Sequence, residues 1–255
     1  MTFKHILALA LCSGVASVMA QSPVAEYDFN NTLASSVSGA PSLGVVDPTG
    51  TSGFVTDMVN GVSQTVWNFN GNNANADQGG LTLNTTGLLT SNSVYSLEMV
   101  FKFTQRDSAW RRIVDTDSRT LDAGFYVDPS NNLNVYPNGG GSSFASNVYQ
   151  DVFLVNNNGQ VTFYLNGSTQ ATVPSTSVNI DLSNNLYFFL DNLQGGGQGE
   201  WSAGDIAQIR LYNAALSSVP PPTPPVVPSV PEPGTYAMML AGLGIVGLLA
   251  RRRTQ

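Results

Sequence analysis

Between Gln21 and Ser218, apolar and polar residues alternate in many short runs separated by Asn, Gly and Ser, and no stretch carries the spacing of an amphipathic helix. The clearest run is Tyr95-Ser96-Leu97-Glu98-Met99-Val100-Phe101-Lys102-Phe103, apolar at odd positions and polar at even ones, Val100 excepted. A period of two predicts a strand that buries Tyr95, Leu97, Met99, Phe101 and Phe103. Residues 161–165 and 168–173 flank Asn166-Gly167, a pair that tolerates the positive φ of a two-residue hairpin turn. Similar runs predict strands over 24–29, 65–69, 81–84, 112–115, 124–128, 132–136, 148–155, 186–190 and 205–212. About a dozen short strands without a fixed-period repeat predict an all-β, two-sheet antiparallel jelly-roll sandwich. Gly139-Gly140-Gly141 and Gly195-Gly196-Gly197 read as loop tips, because neither Lys-Ser/Thr nor a helix follows to make a phosphate cradle.

The two ends have a different pattern. Lys4 and His5 precede an apolar run from Ile6 to Val18 that closes on Val18-Met19-Ala20, the form of a secretory signal over 1–20. Leu11 before Cys12, with the apolar run continuing beyond it, speaks against a lipoprotein signal. At the other end, 219–230 is a Pro-rich linker that favours an extended spacer between the body, 21–218, and the tail, 231–255. In the tail, Pro231-Glu232-Pro233 leads into an apolar stretch from Tyr236 to Ala250, followed by Arg251, Arg252 and Arg253. Fifteen apolar residues make a short transmembrane helix against the usual length of about 20. The Arg cluster places its end in the cytoplasm and the body outside.

Composition then removes whole classes of chemistry. His5 and Cys12 are the only His and Cys, and both precede the expected cleavage site. A Ser-His-Asp triad, a Cys nucleophile and a His- or Cys-liganded zinc or haem are therefore excluded. The net charge is −7, and between residues 21 and 231 six Lys or Arg face sixteen Asp or Glu, which argues against a nucleic-acid partner.

Two resemblances sharpen the picture. Pro231-Glu232-Pro233, the apolar helix and Arg251-Arg252-Arg253 resemble the PEP-CTERM sorting signal of Gram-negative bacteria. That resemblance implies export, a transient stay in the inner membrane and processing by an exosortase-type enzyme. The destination it implies is the cell surface or an extracellular polysaccharide matrix; a plain one-pass anchor is the alternative. Gly199 to Ser217, with Ala25-Glu26-Tyr27-Asp28-Phe29-Asn30 and the segments 112–115 and 124–128, resembles LamG-like, concanavalin A-like domains. Ala207 and Gln208 stand where such domains often carry an acidic pair.

Laminarinase-type glucanases share that sandwich, and a retaining glycosidase needs two carboxylates about 5–5.5 Å apart. The body has three Glu (Glu26, Glu98 and Glu200), and Glu26-Tyr27-Asp28-Phe29-Asn30-Asn31 departs from the Glu-x-Asp-x-x-Glu signature at Asn31. The reading taken is a non-catalytic protein, with a divergent glycan hydrolase as the alternative. Calcium is the candidate cofactor, since it takes hard oxygen ligands. Asp115, Asp117 and Asp122 form the densest acidic run, and Asn75 and Asp77 lie in an amide-rich loop. The same run also reads as a surface charge network with Arg106, Arg111, Arg112 and Arg119. For a glycan partner, Trp110, Tyr126, Tyr136 and Trp201 are the candidate stacking surfaces, with core packing the competing role for each; Trp67 fits the core equally well. The expected work is binding or supporting extracellular polysaccharide. A matrix component without a specific ligand is the rival.

Overall fold

The structure is a computed structural model that describes residues 21–71, 77–196 and 199–220. The signal segment, Asn75, the Pro-Glu-Pro motif, the apolar tail and Arg251–Arg253 lie outside the described residues.

Fifteen strands follow one another in the chain. They are β1 (Ala25–Tyr27), β2 (Gly44–Val46), β3 (Gly53–Val59), β4 (Val62–Phe69), β5 (Gly80–Asn84), β6 (Val94–Phe103), β7 (Arg111–Asp115) and β8 (Gly124–Val127), then β9 (Asn132–Tyr136), β10 (Gly139–Ser143), β11 (Gln150–Asn157), β12 (Gln160–Leu165), β13 (Ser168–Pro174), β14 (Asn185–Phe188) and β15 (Gly204–Tyr212). They pair antiparallel into two sheets. One has the order β13-β12-β11-β6-β15-β4-β3, with β1 added on β15; the other runs β10-β9-β8-β7-β14-β5-β2. Every strand expected from the sequence is present, and Asn166-Gly167 turns β12 into β13 with φ of 50° and 78°.

The core lies between the sheets. Tyr95, Leu97, Met99, Phe101 and Phe103 of β6 are buried in it together with Phe125, Val127, Leu133 and Val135 of the facing sheet. Trp67 also joins it, edge-on to Phe54 with ring centres 4.9 Å apart.

The polar positions on the outer face of β6 are not all left to solvent, and one expected loop is corrected to a strand. Ser96 and Glu98 are buried, because residues 213–219 return across this face and β15 sets Arg210 beside Glu98. Ser96 Oγ donates to the Ala214 carbonyl at 2.8 Å and accepts the Leu216 N–H at 2.9 Å. Glu98 Oε2 accepts from Arg210 Nη1 at 3.1 Å and from the Tyr212 hydroxyl at 3.2 Å. Gly139-Gly140-Gly141 is likewise no loop tip but the start of β10. A Cβ on Gly140 would stand 2.8 Å from the Leu133 carbonyl, and one on Gly141 would meet Gln170 and come 3.1 Å from Phe163. These glycines permit close approach of backbone; they are not there for flexibility.

Candidate functional site

The bulge between Arg112 and Val114 of β7 leaves Val114 facing the core opposite Phe125, so Arg112 points outward opposite Tyr126. Tyr126 in turn lies across from Asn134, and Tyr136 is the next outward residue of β9. Trp110 precedes β7 with the same parity. Three aromatic residues far apart in sequence therefore meet on the outer face of the seven-stranded sheet. Ring centres are 5.5 Å apart for Trp110–Tyr126, 5.4 Å for Trp110–Tyr136 and 6.2 Å for Tyr126–Tyr136. Interplanar angles of 76–81° make all three pairs edge-to-face. Tyr126 is buried as the base of the cluster; Trp110 and Tyr136 are half-exposed. Asn134 Nδ2 reaches Asp128 Oδ2 at 3.4 Å, whereas its own carbonyl oxygen, sheltered from solvent, has no hydrogen-bond partner among the described residues.

Beside the aromatic cluster the Arg112 guanidinium is fully buried and gathers two loops. It donates to Asp115, to Asn192 Oδ1 at 3.0 Å and to the carbonyls of Leu121 and Ala123, each at 3.2 Å. Asp191 lies 3.7 Å away, with Asp122 and Glu200 at 3.8 Å. The carboxylates are themselves held by backbone. Asp115 Oδ1 accepts from Asp117 N at 3.0 Å and Arg119 N at 2.8 Å, and Asp191 Oδ2 accepts from Gly199 N at 2.8 Å and Glu200 N at 3.0 Å. Arg112, even with Arg119 nearby, cannot neutralise so many carboxylates. Burial, then the charges of Asp191 and Asp122, push the Glu200 carboxyl up to about 9, and burial raises Asp115 in spite of Arg112.

The aromatic residues picked from sequence thus divide. Trp110, Tyr126 and Tyr136 share one face, but Trp201 packs elsewhere, under the Arg106 guanidinium 4.8 Å from its ring centre. The acidic run divides as well. Asp115 and Asp122 turn to Arg112, and Asp117 faces an open groove of about 630 Å³ shared with Asp181, Asn92 and Asn179. Asp77 is half-buried. Among the described residues no group of three or more His, Cys, Asp or Glu is arranged to hold a metal ion.

The expected surface charge network is corrected to a buried one. Arg112 and Arg119 join it, but Arg111 turns inward over Phe103 and Phe144, and Arg106 bonds the Gly199 carbonyl. The sequence reading missed Asp191, Asn192 and Asn134. Parity with Tyr136 was a usable signal for Asn134, but nothing local marks the other two.

Comparison with known proteins agrees with this architecture. Residues 73–219, more than half of the chain, match the family described as the concanavalin A-like lectin/glucanases superfamily, and residues 229–253 match the PEP-CTERM protein-sorting motif. No curated protein sequence matches. Among solved structures, domain 4 of AbnA, a GH43 extracellular arabinanase from Geobacillus stearothermophilus, in complex with arabinotriose, is similar with a TM-score of 0.57 at 18% identity. That match covers 77% of this chain and 95% of the domain. Botulinum neurotoxin type C, described as entering cells through interaction with two ganglioside molecules, gives 0.53 at 15% identity over 76% of this chain and 49% of its own. The binding domain of botulinum neurotoxin DC in complex with SialylT gives 0.54 at 13% identity, with coverage of 76% and 48%. At these identities the likeness is one of fold.

Proposed function

This chain belongs to the concanavalin A-like lectin/glucanase superfamily, and from that membership we propose a non-catalytic protein, exported and directed to the cell surface, whose sandwich binds extracellular polysaccharide. The binding face is the outer face of the seven-stranded sheet. The observation that carries this reading is the convergence of Trp110, Tyr126 and Tyr136 beside Asn134. Half-exposed rings offer apolar surface to the C–H faces of sugars. An arabinanase domain of similar fold is bound to arabinotriose, and a toxin of similar fold interacts with gangliosides, which supports a sugar as ligand class. The sorting motif supports export and processing by exosortase-type machinery, with 21–218 as the working domain and 219–230 as its stalk.

A non-catalytic role is supported by where the glutamates stand. Glu26 and Glu98 both pair with Arg210 on the eight-stranded sheet, whereas Glu200 lies in the segment before β15. Glu200 is packed against buried Arg112. The test is binding of the purified full-length chain, in detergent, to extracellular polysaccharide with calcium and with chelator. Expected is saturable binding that Trp110→Ala and Tyr136→Ala each weaken at least tenfold, about 1.4 kcal/mol. Loss with chelator would bring calcium into the site. No binding in either condition would favour a matrix component without specific ligand.

A further inference from the structure

The charge on the sandwich is one-sided in a way that selects the ligand. Residues 21–220 hold six Lys or Arg against sixteen Asp or Glu, and each of the six cations is committed within the fold. Lys102 sits between Asp57 and Asp205, and Arg210 between Glu26 and Glu98. Arg106 is stacked on Trp201 and Arg111 is buried over Phe103, with bonds to Ser146 and Asn131. Arg112 is buried among its carboxylates, and Arg119, also buried, donates to the Asp191 carbonyl at 2.6 Å. Around the aromatic face, in contrast, carboxylates reach the surface. Asp107, three residues before Trp110, has a side chain 59% exposed, with one oxygen held 3.4 Å from Arg111 Nη1. Asp128 is half-exposed; its Oδ1 accepts from Ser130 N and Asn132 N, each at 2.9 Å, and its Oδ2 receives a long contact from Asn134 at 3.4 Å.

Resting on the reading that this face binds polysaccharide, we infer that its preferred ligand carries free amines: a polymer of partly N-deacetylated amino sugars. An acidic polymer would bring carboxylate or sulfate against Asp128 and against Asp107, whose one cation, Arg111, is buried and already committed within the fold, and like-charge contact of that kind rejects a partner. A neutral polymer gains ring contact alone. An ammonium group gains the ring faces of Trp110 and Tyr136 together with a charge-assisted bond to a carboxylate.

The probes are chitosan oligosaccharides, the same oligosaccharides fully N-acetylated, and alginate, each titrated against the full-length chain in detergent at low salt and mildly acidic pH. Expected is binding of the amine form at least tenfold tighter than the acetylated form, none of alginate, and weakening as salt rises or as alkaline pH removes the ammonium charge. Asp128→Asn keeps the acceptor oxygen for Ser130 and Asn132 and removes the charge. It should erase most of the amine preference, read as the ratio of the two affinities. Tyr136→Ala should weaken both forms. Equal or weaker binding of the amine form, a preference for alginate, or full amine binding by Tyr136→Ala, which would mean charge adsorption without the aromatic face, each overturns the inference. Failure of all three probes also overturns it. The broader reading falls only if extracellular polysaccharide is not bound either.

Discussion

The Arg112 guanidinium lies 4.5 Å over the centre of the Tyr126 ring, and that ring's hydroxyl donates to the Asp122 carbonyl at 2.8 Å. The base of the aromatic cluster and the buried charge hub are therefore one packed unit. Whatever holds the segments 117–122, 191–196 and 199–200 onto the sheet also fixes the tilt of Tyr126, against which Trp110 and Tyr136 stand. Binding and stability meet at Arg112.

Removing that guanidinium leaves buried carboxylates without their counter-charge, the costly way to break a buried ion pair. Arg112→Met should lower unfolding stability by about 3–5 kcal/mol, read as a shift in the urea midpoint. A change within the noise of the measurement would show that the hub relaxes by taking in water or protons.

The direction of pH dependence follows from Glu200. Its carboxyl is raised from 4.5 to about 9 in the folded chain, so the fold binds this proton more tightly than the unfolded chain does. The resulting stabilisation is complete in acid and fades as pH climbs from about 4.5 towards 9. Burial raises Glu98, Asp115, Asp117 and Asp151 in the same direction. Asp47, Asp57 and Asp181 are lowered, and their contributions are lost only below the usual carboxylate range. Urea midpoints should accordingly rise as pH is taken from 8 down to 5.5. Glu200→Gln should flatten that slope and raise the midpoint at pH 8. A midpoint that falls over this range in the unaltered protein contradicts the assignment.

Gly204 opens β15 between two neighbours, opposite Phe69 of β4 and Phe103 of β6. A Cβ there would collide with the Lys102 carbonyl and stand 2.7 Å from Phe69 Cζ. The carbonyl belongs to a central strand and cannot swing aside. Gly204→Ala should cost about 2–3 kcal/mol by the overpacking route, seen as a lower thermal midpoint, whereas Gly61→Ala, in open space at φ of 84°, carries only the backbone strain.

Much of this architecture is legible in the chain alone. Period-two alternation marks β6 and the hairpin of β12 and β13 because each strand presents one face to a continuous core, and burial on that face demands large apolar side chains. Three strands escape that logic. β2 is three residues long and largely exposed, β3 is an edge strand with Val55 and Met58 in solvent, and β10 begins with three glycines that have no side chain to betray a face. Their existence depends on pairing with β5, β4 and β9.

The site divides along the same line. The chain by itself determined the alternation that turns Tyr126 and Tyr136 to one side of their strands, the acidic balance, the sorting motif, and the absence of His or Cys from the body. Only the tertiary structure decided that Trp110 joins those two rings while Trp201 goes to Arg106, because sheet order and a bulge at Arg112 set which outward residues become neighbours. The same holds for the buried charges. Alternation assigns Arg112 and Glu98 to outer faces, where a strand pattern alone predicts water. Loops and a returning segment cover both, and contacts made between distant parts of the chain leave no periodic trace in the sequence.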